Sequence, residues 1–193
     1  MVMVRIFIQD ICFDVIRHDD KHCYIIEGFG GQPVEKWPIY RFYDQYLTGN
    51  KDLATMEYET WYLDQFTKYS QISKSSGGMK KGSLYKLIET LHHSRSIMFD
   101  GNLKSADQKI IEEAIRERVG YRFMLMESIM KEGYKPNRRD RIIGVKKNGS
   151  VFLKGGHHRT AILKTLGYPK VPDVIVYPND TLYLIMKRIR KII

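Results

Sequence analysis

Cysteine is scarce in this sequence of 193 residues: only Cys12 and Cys23 occur. Two thiols exclude a disulfide-dense scaffold, and no Cys/His cluster has the spacing of a zinc site, so no metal ligand set is expected. The two could face each other across a hairpin, but reduced thiols in a cytoplasmic protein are the plainer reading. No run of about 18 apolar residues exists, so no transmembrane segment is expected. Met1 to Gln9 is apolar but short. Without a basic leader or a small-residue cleavage site, it reads as a first strand rather than a signal peptide. Neither GxGxxG nor a Walker sequence is intact, and no internal repeat is present.

What is there suffices for a core: 43% of residues are hydrophobic and 12% aromatic, which excludes a disordered chain. The length suits one domain, or one with an elaborate extension. Charge is distributed unevenly. Residues 1–100 hold 12 Lys+Arg against 13 Asp+Glu, a net of −1, whereas residues 101–193 hold 20 against 9, a net of +11. Such a one-sided field suits an anionic partner, whether nucleotide, nucleic acid or phosphorylated substrate; a solubilising basic face is the simpler alternative.

The opening reads as β. Val2 to Gln9 is a β-rich run, and Ile11–Ile16 with Cys23–Ile26 makes a hairpin around a polar loop, closed by the turn Gly28–Pro33. Helices are expected over Trp37–Leu47 and Met56–Tyr69. The second carries Tyr58, Trp61, Tyr62, Phe66 and Tyr69 at helical spacing, a stripe that belongs to a core more often than to a base-stacking surface. Ser70–Gly82 is a candidate linker or mobile basic loop, and Leu84–His93 a short helix. Ser105 and Gln108 have the spacing of a capping box. The helical region beyond them is expected to split at Gly120 and to stop at Gly133. Arg141–Lys147 and Ser150–Lys154 then form a hairpin turned by Asn148-Gly149. A helix follows from His158 to Leu166, then a strand over Val171–Tyr177 interrupted by Pro172, and a last helix over Thr181–Ile193 capped by Asp180.

One motif concentrates the chemistry: Lys154-Gly155-Gly156-His157-His158-Arg159-Thr160. Glycines between a strand and a helix let the backbone turn sharply and approach an anion. The first helical N–H groups lack intrahelical partners, and the helix dipole adds positive potential there. Arg159 can form a bidentate phosphate contact, Thr160 can donate from its hydroxyl and Lys154 adds charge from the strand. His157 and His158 point about 100° apart on a helix, so they would rarely serve one ligand together. Acid–base catalysis is open to either, and packing beneath the site is the expected role of at least one.

The stretches Leu125–Pro136, Ile142–Val145, Gly155–Leu163, Leu166-Gly167 and Val171–Val176 together resemble the ParB/sulfiredoxin superfamily, over roughly residues 110–177. The resemblance implies an α+β fold: a nucleotide-binding core over residues 105–193 ending in a basic helix. Residues 1–104 then form an N-terminal β-hairpin and an aromatic-rich helical extension packed on that core. It implies ATP or another nucleoside triphosphate as ligand, with Mg²⁺ as accompanying ion. Sulfiredoxins carry a nucleophilic cysteine where this chain has His157, so that chemistry drops out. ParB proteins carry Gly-Glu-Arg-Arg, which shares only Gly156 and Arg159. Gly-His-His-Arg is nearest the free-serine-kinase branch, whose catalysis also needs acidic residues outside the motif; Glu127, Glu132 and Asp140 are the candidates.

Three functions follow as expectations. The first is an ATP-dependent phosphotransferase or hydrolase, with Gly155 to Thr160 and Lys154 on the phosphates and His157, His158 and Glu132 as catalytic candidates. The second is a partition-like DNA-binding protein using the basic C-terminal half, including Arg138–Arg141, though no helix-turn-helix is evident. The third is a non-catalytic module that docks Lys187–Lys191 on a partner or an anionic membrane. Against the third stands a final helix that packs Leu182, Leu184, Ile185 and Ile189 on the core. Oligomeric state is not encoded legibly.

Overall fold

The computed structural model describes residues 6–18, 31–72, 83–136 and 141–189. It is an α+β structure around one five-stranded sheet. The strands are β1 (Phe7–Ile11), β2 (Ile16–His18), β3 (Ile143–Lys147), β4 (Ser150–Gly155) and β5 (Val171–Tyr177). Their spatial order is β1-β5-β3-β4-β2. β1 lies antiparallel to β5, β5 parallel to β3, β3 antiparallel to β4 and β4 parallel to β2.

Residues 7–18 therefore supply both edges of a sheet whose centre is built from residues 143–177. β1 ends at Ile11, a 3₁₀ turn occupies Phe13–Val15, and the chain emerges as β2 on the opposite edge. The expected strand over Ile11–Ile16 is corrected accordingly. Its hairpin partner, Cys23–Ile26, lies outside the described residues, as does the turn at residues 28–30. Cys12 is free and exposed. Because strand pairing crosses residue 104, the segments 1–104 and 105–193 share one sheet and one core.

The helices are α1 (Pro38–Thr48), α2 (Lys51–Ile72), α3 (Ser83–Ser94), α4 (Gln108–Glu132), α5 (His157–Thr165) and α6 (Asp180–Ile189). Val151, Leu153, Val174 and Val176 pack on the face shared with α1 to α5. Val145, Ile175 and Tyr177 turn to the other face, where Tyr183, Leu182 and Met186 of α6 meet them. Burial of alternate residues on two covered faces explains why Val174–Tyr177 is apolar without alternation.

Of the aromatic stripe of α2, Tyr58, Tyr62 and Phe66 are buried in the core and Trp61 is partly buried against it; Tyr58 stacks on Phe42 of α1 at 4.6 Å. Residues 73–82 of the expected linker lie outside the described residues. α4 runs unbroken through Gly120, correcting the expected split. A single glycine costs a helix only about 1 kcal/mol, and buried Val119 and Phe123 beside it tie α4 to the core. Its cap is Asp107, whose carboxylate accepts from the Lys109 N–H at 2.8 Å. Ser105 instead donates to Asp100 at 2.7 Å. Pro172 does not interrupt β5. It sits where the register with β1 slips, a bulge where a missing N–H costs no ladder bond.

α6 also departs from expectation. Asn179, not Asp180, caps it, accepting from the Leu182 N–H at 2.9 Å. Leu184, Ile185 and Ile189 are exposed rather than packed, and Tyr183 is the buried anchor. Residues 190–193 lie outside the described residues.

Candidate functional site

The β3–β4 hairpin turns through Asn148 (φ 47°) and Gly149 (φ 77°), the left-handed pair that a two-residue turn demands. It carries β4 toward the start of α5. Ile143 pairs with Gly155 and Gly144 with Leu153, so Lys154 has no opposite residue on β3. This bulge re-aims the strand just before the turn. Gly156 then adopts φ 89°, ψ 19° and serves as the N-cap residue of α5. A Cβ there would stand 2.8 Å from Ile142 Cγ1 and 2.9 Å from its Cα, so both conformation and space require glycine. α5 has no side-chain cap bond and no acid in its first turn.

The motif residues are distributed by this geometry. Lys154 does not extend over the turn. Its side chain is 0% exposed, on the sheet face under α6, and its amine lies 2.8 Å from Asp180. Lys147 reaches the same carboxylate at 2.6 Å. Burial pushes the Asp180 carboxyl up, but the hydrogen bonds from Lys147 and Lys154 outweigh it and hold the group at about 2. Thr160 is fully buried and donates its hydroxyl to the Gly156 carbonyl at 3.0 Å, within the helix. Neither side chain takes the phosphate-facing role expected of it. Gly155, His158 and Arg159 are half-buried around the turn.

The two histidines have different environments. His157 is buried, its ring tilted against Trp37 at 6.1 Å between centroids. His158 faces two tyrosines of the N-terminal half. Tyr43 Oη lies 2.7 Å and Tyr58 Oη 3.5 Å from His158 Nδ1, and the Tyr43 ring meets the imidazole edge-on. Both tyrosines are fully buried.

Sequence reasoning missed Tyr43 and Tyr58 as site residues. Their signal was the aromatic run itself: buried tyrosines need hydroxyl partners, and one of those partners is His158.

The acidic candidates fall elsewhere. Glu132 is exposed at the end of α4 and pairs with Lys135 at 3.6 Å. Tyr134, just beyond it, donates its backbone N–H to Tyr168, past the C-terminal end of α5. Glu132 is thus not brought to the histidines. Glu127 accepts from Tyr46 at 2.8 Å and Lys51 at 3.2 Å. These bonds, Tyr46's first, hold its carboxyl below the usual range, so it stays ionised at neutral pH. Burial chiefly, with the bond to Glu127, pushes the Tyr46 hydroxyl up to about 12. Asp140 lies outside the described residues. Among the described residues no group of three or more His, Cys, Asp or Glu could hold a metal ion, and no helix is long and apolar enough to cross a membrane.

The chain matches no family model, no curated protein and no solved structure.

Proposed function

We propose that the turn at Gly155-Gly156 and the first turn of α5 bind the phosphates of a nucleotide, ATP or another nucleoside triphosphate, with Mg²⁺ as accompanying ion. The observation that carries this reading is the left-handed Gly156 turn between β4 and an α5 N-terminus that has neither a side-chain cap nor an acid. Backbone N–H groups and the helix dipole favour an anion at such a place. Arg159, in the first turn, supplies a charged contact. Relative to the sequence expectation the cradle is smaller. Lys154 neutralises Asp180 and the Thr160 hydroxyl serves the helix backbone, so neither is assigned to phosphate.

The resemblance of Gly155–Arg159 to the ParB/sulfiredoxin superfamily, nearest its free-serine-kinase branch, motivates phosphoryl transfer or nucleotide hydrolysis as the use of that site. Such chemistry rests mostly on positioning and charge neutralisation. Glu132 is not assigned a catalytic part, because it pairs with Lys135 instead.

Calorimetric titration with ATP, CTP and GTP in the presence of Mg²⁺ tests the reading. Saturable binding of at least one is expected, weakened about tenfold or more in Arg159→Ala, the loss of one charge-assisted contact of about 1.5–3 kcal/mol. Absence of binding by all three rejects it.

A further inference from the structure

We propose that the outer face of α6 docks on an anionic lipid bilayer, with Leu184, Ile185 and Ile189 entering the headgroup boundary and Lys187 and Arg188 meeting the lipid anions. α6 is held to the sheet along one side. Tyr183 is its buried anchor, edge-on to Tyr177 at 5.6 Å, and Leu182 and Met186 pack beside it. Residues three and four apart are neighbours on a helix surface, so Leu184, Ile185, Arg188 and Ile189 form a second face, turned away from that anchor. Leu184 is 42%, Ile185 46% and Ile189 40% exposed.

Charge selects the occupant. Lys187 and Arg188 are both exposed, and among the described residues neither pairs with an acid. The acid of α6, Asp180, is taken by Lys147 and Lys154, and residues 181–193 contain no other. The face is aliphatic and cationic together, the combination by which a helix lies in a bilayer interface. α4 also exposes apolar side chains, Tyr121 and Met124, but among charges of both signs, Arg116, Glu117 and Glu127.

Other occupants fit this face less well. A two-fold contact pairs a patch with itself and would set Lys187 and Arg188 against their counterparts in a second copy. Nucleic acid would engage the cations through its phosphates but bring little that is apolar to the aliphatic side chains. At a bilayer the cation stems lie along apolar surface while their heads reach the phosphates. None of these residues belongs to the Gly156 turn or to α5, so membrane docking stands or falls apart from nucleotide binding.

The test is co-sedimentation of the full chain with vesicles at physiological ionic strength. One set is phosphatidylcholine alone, the other phosphatidylcholine with an equal part of phosphatidylserine. Binding to the second and not to the first is expected. The whole chain carries a formal charge of +10, so attraction by itself does not locate the contact; two double variants do. Leu184→Ser/Ile185→Ser keeps every charge and is expected to weaken binding about tenfold or more. Lys187→Gln/Arg188→Gln keeps every aliphatic side chain and is expected to weaken it about fivefold for each charge removed. The substituted side chains are exposed, so both variants are expected to melt as the wild type does; should one fail to, the other decides. Absence of binding to the anionic vesicles, or equal binding to the neutral ones, overturns the proposal. Undiminished binding by Leu184→Ser/Ile185→Ser overturns it too, by making the attraction a property of net charge. So does self-association of the wild type that this variant abolishes, which would assign the face to a second copy.

Discussion

Two helices, α5 and α6, each start within three residues of a strand of the same sheet, yet their N-termini are finished in opposite ways. α6 begins as a helix built for stability. Asn179 caps it, Asp180 stands in its first turn, and two lysines close on that carboxylate. α5 begins with Gly156 in a left-handed turn, followed by His157, His158 and Arg159. The positive end of α6 is answered within the fold by an acid. The positive end of α5 is followed by more positive charge and is reached by a bulged strand. Lys154 connects the two: it leaves the turn at α5 and completes the acid site of α6. Of these two termini, that of α5 is the one proposed to receive an anion.

Substitutions can break this comparison at either end. The largest effect is expected at Gly156. Gly156→Ala forces a side chain into a left-handed conformation and against Ile142, which should cost about 3 kcal/mol in urea unfolding and remove nucleotide binding. At the other helix, Asp180→Asn removes the carboxylate that Lys147 and Lys154 share and should cost about 2 kcal/mol in the same measurement. Nucleotide affinity should be unchanged. The pH dependence follows from the same group. Asp180 titrates at about 2 in the folded protein, below its ordinary 3.8. Its contribution is therefore complete above about pH 4 and lost as pH falls toward 2. Thermal melts of the wild type should show that loss, and Asp180→Asn should lack that component. The smallest effect is expected from Asn179→Ala, about 1 kcal/mol from the lost cap, again without change in nucleotide affinity.

Local chemistry explains which parts of this structure were legible in the sequence. The hairpin at Asn148-Gly149, the start of α5 after Gly156 and the strand Val171–Tyr177 are each encoded within a few residues by turn chemistry and apolar runs. Helix caps were missed by a residue or two because Ser105, Asp107, Asn179 and Asp180 are all competent caps, and tertiary partners decide among them. Asp180 goes to two lysines, leaving Asn179 to cap. Gly120 suggested a break because propensity says nothing of the buried neighbours that hold α4 together. The sheet edges were illegible, since the parallel pairing of Ile16 with Val151 spans 135 residues. The same applies to the site. The glycine motif is contiguous, whereas Tyr43 and Tyr58 reach His158 across 115 and 100 residues. Nothing in the spacing of an aromatic stripe says which hydroxyl will find a histidine.

Phosphate is proposed to sit on the first turn of α5. A crystal structure of the protein grown with a non-hydrolysable ATP analogue and Mg²⁺ tests it most directly. Phosphate oxygens within hydrogen-bond distance of the backbone N–H groups of His157 to Arg159 are the expected result. Nucleotide bound elsewhere, with that turn occupied only by solvent, would contradict it.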